Sequence, residues 1–277
     1  MSGFSPEWLA LREPIDHRSR NSELAASLSA RFQQRSAVAV VDLGCGTGSN
    51  LRATAPLLPD IQSWTLVDYD ERLLAAARQT LLRWVDSSEA DGERLVLAKG
   101  SRQITVQFRQ ADLNAGLDVA LGDKPDLVTA SALFDLCSPA FIKKLARAVA
   151  QRRAVFYTVL TYNGIQHWTP RQPGDGAMVA AFHAHQTTDK GFGLSAGPMA
   201  PAHLADAFRV SDYNVLEGES PWMLGSKDQA IVTELASGFA GAVRETGTVD
   251  AKSIEAWTKV TRTGAEVGHT DTLAFPS

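Results

Sequence analysis

The stretch Val40-Val41-Asp42-Leu43-Gly44-Cys45-Gly46-Thr47-Gly48-Ser49-Asn50 most constrains what this chain can fold into. An apolar strand ends in an acid, passes through three alternate glycines and opens a helix. Glycine has no Cβ, so Gly44, Gly46 and Gly48 let the chain turn sharply and approach a ligand closely. The open carboxyl end of a parallel strand is where α/β sheets bind ligands. The pattern therefore predicts a nucleoside-bearing ligand at this loop. A triphosphate-binding loop would need Gly-Lys-Ser/Thr, whereas Ser49-Asn50 follows Gly48 and no lysine is placed to reach phosphates. The dinucleotide fingerprint wants a glycine five positions after Gly44, where Ser49 stands, so NAD is a runner-up. Asp42 would repel a pyrophosphate and favour a cationic amino or sulfonium group.

Residues 64–67 read as the next strand and end at Asp68, 20 residues past Gly48, which is one βαβ step. A carboxylate there can accept both ribose hydroxyls. A third strand, over 106–113, closes on Asp112, although an acid in that position also caps the following helix. Asp-x-Gly-x-Gly-x-Gly in this setting, with acids at the next two strand ends, resembles motif I and its partners in class I S-adenosyl-L-methionine (SAM)-dependent methyltransferases. The resemblance is specific over residues 38–160 and looser elsewhere. It implies SAM as cofactor, held by Asp42, Gly44, Cys45, Gly46, Gly48 and Asn50 of the loop. It places Asp68 on the ribose, Tyr69 against the adenine face, and Asp112 with Leu113 at the adenine amino group. It puts Ser131, at the end of the fourth strand, beside the transferred methyl. It also implies that residues 1–36 form a helical lid, with Arg18 or Arg20 pairing with the methionine carboxylate. The residues alone leave the choice between the two arginines open, and a charged capping segment is the plainer alternative.

Alternating helix and strand continue along the chain. Helices are expected over 22–32, 72–85 and 139–151, strands over 126–131 and 154–160, and a hairpin-extended strand region over 93–112. Two further strands, over 208–216 and 268–275, bracket helices over 227–245 and 250–263. Strands alternating with helices give an α/β fold. The expected fold is a doubly wound, Rossmann-like, seven-stranded, mostly parallel sheet with helical cap insertions at 163–203 and 218–264. All 277 residues read as one domain, large enough at 44% hydrophobic content to bury a sizeable core.

A formal net charge of −4 gives no electrostatic footprint for nucleic acid, which needs clustered Lys and Arg. Cys45 and Cys137 form no paired framework and have no metal-ligand spacing, which fits a reducing compartment. With no apolar run long enough to span a bilayer, no membrane contact and a cytoplasmic location are expected. The expected partner is a small-molecule acceptor, with no metal and with the oligomeric state open.

Positions past the fourth and fifth strands face the methyl in the resembling family, so Phe134 and Asp135, with Tyr162 and Trp168, are candidates for acceptor contact and proton removal. Histidine suits proton removal through its ordinary pKa of about 6.5. His167 follows the fifth strand, and Phe182-His183-Ala184-His185-Gln186-Thr187-Thr188-Asp189-Lys190 is dense in polar groups. His167, His185 and Asp135 are the catalytic candidates, and Gln186 and Lys190 the groups for a polar or anionic acceptor. An H-x-H metal pair at His183 and His185 would need an extended segment. Cys137 beside Leu136 reads as a packed residue sooner than as a nucleophile. The motif that holds exocyclic amino groups of bases is missing, which argues against base methylation. Expected activity is methyl transfer to oxygen or nitrogen of a small molecule. The alternatives are an RNA or protein methyltransferase, or a non-catalytic nucleoside-binding protein.

Overall fold

The computed structural model describes residues 4–277. Ser5 caps α1 (Pro6–Ser19) by accepting from the Trp8 N–H, and a proline opens the helix where its missing N–H costs nothing. Asn21 caps α2 (Ser22–Phe32), whose Leu24, Leu28 and Phe32 recur at helical spacing and are buried. After β1 (Ala37–Leu43) come α3 (Ser49–Thr54), β2 (Ile61–Asp68), α4 (Glu71–Trp84), β3 (Ser87–Asp91), β4 (Arg94–Lys99) and β5 (Arg102–Gln110). Next are α5 (Leu113–Leu121), β6 (Leu127–Ser131), α6 (Pro139–Gln151), β7 (Val155–Thr169), α7 (Asp175–Gln186) and α8 (Ala200–Arg209). The chain closes with β8 (Tyr213–Glu219), β9 (Trp222–Leu224), α9 (Gln229–Thr246), α10 (Ala251–Thr258) and β10 (Gly264–Pro276).

Across the sheet the order is β3-β4-β5-β2-β1-β6-β7-β10-β8, with β9 paired to β10. Strands β5, β2, β1, β6 and β7 are parallel, and β10 runs antiparallel to its neighbours. The strand order reverses between β1 and β6, which opens a crevice at their carboxyl ends. Both sheet faces are covered. One apolar cluster includes Leu28, Val40, Trp64 and Leu81, and the other joins α5, α6 and α8 through Leu117, Leu145 and Leu204.

Among the described residues the sheet has ten strands rather than the expected seven. β3 and β4 add an antiparallel extension to β5, and β9 adds a short third strand to the upper part of β10. β7 does not stop near residue 160. It bulges at Leu160 (φ 59°), whose N–H is held by Asp271 Oδ1 at 2.8 Å, then continues as a ribbon paired with β10 to Thr169. Gly164 (φ 93°) is needed in that ribbon, because a Cβ there would lie 3.0 Å from Pro198. The strand expected at 208–216 begins later, at Tyr213, because Phe208 belongs to α8 and packs on Phe156. The segment 163–203 holds the upper part of β7 and all of α7, while 218–264 holds β9, α9 and α10. α7 and α9 pack together and, with α10, back the ribbon through Phe182, Phe239 and Trp257.

Candidate functional site

Three left-handed glycines turn the chain from β1 into α3: Gly44, Gly46 and Gly48 have φ of 63°, 54° and 76°. The Gly46 N–H donates to Asp68 Oδ2 at 2.8 Å, and the Asp70 N–H donates to Oδ1 at 3.0 Å. The ends of β1 and β2 are thereby locked into one cradle. Burial raises the Asp68 pKa above the usual carboxylate range despite these bonds. Asp42 lies fully buried beneath the loop, and burial, with Asp68 adding repulsion, pushes its pKa up to about 7. Asn50 spans the floor, donating to Asp42 Oδ1 at 2.7 Å and to Thr129 at 3.0 Å, while Asp42 Oδ2 has no partner among the described residues. An orphaned carboxylate oxygen beside a second desolvated acid is an environment that a cation relieves.

α1 lies across this cradle. Arg52 of α3 forks onto Glu13 at 2.8 and 2.6 Å and donates to the Thr47 carbonyl. His17 Nε2 sits 2.9 Å from Ser49 Oγ, and a Cβ on Gly46 would meet Leu9 Cδ1 at 3.1 Å. The neighbouring Arg12 pairs with Asp16, which also accepts from the Trp222 indole at 3.1 Å. These tethers hold α1 against the glycine loop and α3; Met1, Ser2 and Gly3 of the segment expected to form a lid lie outside the described residues.

Neither arginine expected at the methionine carboxylate is open to it. Arg18 pairs with Asp228 at 2.8 Å, and Arg20 reaches under α3 to bond Asn50 Oδ1 and Thr54 Oγ1, each at 2.9 Å. The cap takes up Arg18 through Asp228, and α3 takes up Arg20 through Asn50 and Thr54. Asp112 serves as the cap of α5, accepting from the Asn114 N–H at 2.9 Å, and its second oxygen is exposed. Leu113 is buried behind it, and Tyr69 is exposed beside Asp68. Cys45 lies buried in the loop with its thiol pKa pushed up by burial.

On the acceptor side, Ser131 ends β6 and leads to a single 3₁₀ turn over Phe134–Leu136. Asp135 in this turn is buried, and desolvation raises its pKa to about 6, offset by its own backbone N–H, the Arg12 guanidinium and the Tyr162 backbone. Tyr162 points its hydroxyl to His183 Nε2 at 3.0 Å, and the same nitrogen lies 3.1 Å from the Gly164 carbonyl. With a proton on Nε2, His183 donates to that carbonyl and the phenol proton stays free; with Nε2 bare, the phenol donates to it instead. Sequence reasoning weighed His183 only as half of a metal pair. The clasp of Glu13 with Arg52 was missed as well, since Pro14 and mixed charges hide the helical character of α1.

Four expectations are corrected. Phe134 is fully buried against Phe156, so it packs under the sheet and does not face an acceptor. Trp168 is likewise buried, edge-on to Phe239 and Trp257 in the cap. His167 lies one position out of register with the buried Gln166 and Trp168, so the period of two turns it to the exposed face, where it pairs with Glu266 at 3.1 Å. His185 pairs with Glu245 at 3.0 Å, with Lys190 Nζ 3.2 Å from its Nε2. It therefore belongs to a cluster between α7 and α9, with Gln186 half-buried beside it on α7. His183 and His185, facing different partners on a helix, form no metal pair. Cys137 is buried with its thiol pKa pushed up, which suits packing and not nucleophilic attack.

No family model matches the sequence, and no curated protein matches it. Solved structures do share the architecture. A cyclopropane-fatty-acyl-phospholipid synthase-like protein from Lactobacillus casei aligns with a TM-score of 0.53 at 15% identity, over 99% of this chain and 95% of that one. The cyclopropane synthase MmaA2 from Mycobacterium tuberculosis gives 0.52 at 12%, over 98% and 94%. A putative methyltransferase from Bacillus halodurans gives 0.52 at 12%, over 93% and 100%. What is shared at these identities is the fold, which is that of the class I methyltransferases.

Proposed function

We propose that the protein is a SAM-dependent methyltransferase acting on an oxygen or nitrogen of a small molecule. The observation that carries this reading is the cradle itself, in which the Gly46 N–H binds a desolvated Asp68 beside a buried, half-orphaned Asp42. The residues fit the cofactor: Asp68 for the ribose hydroxyls, Gly44 and Gly46 for close approach, Asp112 for the adenine amino group, and two acids favouring a cationic ligand. Bound SAM supplies an electrophilic methyl on a sulfonium centre.

The chain's own residues then align and deprotonate the acceptor. Alignment of reacting groups is worth roughly 7–11 kcal/mol in favourable intramolecular cases. In this reading Asp135 takes the proton from an attacking O–H or N–H, and a pKa raised to about 6 by burial leaves it ionised at neutral pH. Tyr162, donating its phenol proton, orients the acceptor, and α1 closes the site against water. The cofactor would supply the methyl to the acceptor's oxygen or nitrogen, and Asp135 would hold the proton that the acceptor gives up.

The test is release of S-adenosylhomocysteine from SAM over a panel of phenols, carboxylic acids and amines. Product formation with at least one class is expected. Binding of SAM with no turnover over the panel would support the non-catalytic alternative.

A further inference from the structure

At the amino edge of the sheet, opposite the glycine loop, a cavity of about 420 Å³ opens between the C-terminal ends of α2 and α6 and the end of β10. Five cations line it, Arg31, Arg35, Lys124, Arg152 and Arg153, against the single carboxylate Asp126. That is a strong local excess in a chain of net charge −4. Two of the five are committed: Arg35 pairs with Asp126 at 2.7 Å, and Arg152 bonds Asp118 and the Ala148 carbonyl at 3.1 and 3.0 Å. Arg31, Lys124 and Arg153 have no carboxylate partner among the described residues. The two helix C-termini contribute roughly half a negative charge each, which leaves the concavity positive.

Arg153 is the informative member. It follows α6 with φ 52°, the left-handed position where helices ordinarily place glycine. Arg153 takes this position at a backbone cost that glycine would not carry, and it lines the cavity. The Arg31 guanidinium carbon lies 3.0 Å from the centroid of the Phe275 ring, a cation–π contact that holds a second guanidinium at the wall. Forked guanidiniums with a lysine point charge match phosphate oxygens. The volume falls in the range of about 300–1,000 Å³ usual for small-molecule sites.

The geometry points to a second binding site, for a compact phosphorylated small molecule, at the edge of the sheet opposite the glycine loop. It stands independently of the methyltransferase reading.

Isothermal titration of the full chain with inorganic pyrophosphate, and separately with glycerol 3-phosphate, at 150 mM KCl tests this; the two arms separate a diphosphate site from a monoester site. The variants are Arg153→Gly, which keeps the left-handed turn without strain, and the double change Arg31→Gln with Lys124→Gln. Saturable one-to-one binding of at least one probe is expected, weakened about tenfold or more by Arg153→Gly and further by the double change. Unfolding midpoints at or above that of the wild type would show Arg153→Gly to be folded. No saturable binding to the wild type, or equal binding to wild type and both variants, would overturn the assignment.

Discussion

At the carboxyl edge of the sheet, Asp42, Asp68, Asp112 and Asp135 stand at or just past the ends of β1, β2, β5 and β6, whereas at the amino edge Arg31, Lys124 and Arg153 surround an open cavity. Asp42, Asp68 and Asp135 are the costly set, whereas Asp112 is exposed. Burial raises Asp42 to about 7 and Asp135 to about 6, and pushes Asp68 up as well. The cations are largely solvated, and their mutual repulsion is screened by salt within about 8–10 Å. A chain carries desolvated acids where a cation is to be met, and carries exposed cations cheaply. The two proposals follow this contrast: a cationic cofactor at the carboxyl edge, and an anion at the amino edge.

The largest effect expected at the acidic edge comes from Asp135→Asn, which removes the proton acceptor. Turnover should fall about 10²- to 10⁴-fold with little change in SAM affinity, measured by S-adenosylhomocysteine release and titration. The wild-type rate should drop as pH falls through about 6, and the variant should lose that limb.

Asp42→Asn breaks the comparison differently. The Asp42 pKa is raised on folding, so its penalty is absent below the ordinary carboxylate pKa, grows as pH climbs from about 4 to 7, and is constant above 7. The variant should gain stability over the wild type across that window, on the order of a few kcal/mol at most, in urea melts at pH 5 and pH 8. The same variant should bind SAM more weakly at pH 8, since the attraction for a cation is gone.

Gly46→Ala adds a Cβ at a left-handed position against Leu9, costing about 1–2 kcal/mol of backbone strain. A lower melting temperature and a severalfold weaker SAM affinity are expected together. Arg18→Ala is the small end of the series. Its ion pair with Asp228 is half-exposed on the arginine side, so stability should change by less than about 1 kcal/mol and SAM affinity by less than twofold.

The acidic edge was legible because its signals are local. Glycine takes positive φ at the least cost, so the alternate Gly44, Gly46 and Gly48 announce a sharp turn, and an acid closing an apolar run suggests a strand end. The upper cap was not legible, because its cues are long-range. The sequence ends the fifth strand at residue 160, yet β7 runs on to Thr169 by pairing with residues about a hundred positions downstream. Every residue of β3 is exposed, so it has no hydrophobic period to read. Helix α7 lay hidden in a Pro- and Gly-rich stretch. His167 and Trp168 were both marked for the site, but adjacent strand residues face opposite ways, and neither reaches it. Tyr162 and His183 meet only because the bulge at Leu160 and the packing of α7 bring them together.

The central claim is that the glycine cradle with Asp68 holds a sulfur nucleoside. Titrating the wild type and Asp68→Ala with SAM, S-adenosylhomocysteine and NADH tests it most directly. Losing hydrogen bonds to a charged carboxylate costs about 1.5–3 kcal/mol each, so the variant should bind SAM at least about tenfold more weakly, with NADH inert throughout. Equal SAM affinity in both proteins, or binding of NADH in place of SAM, would contradict the account.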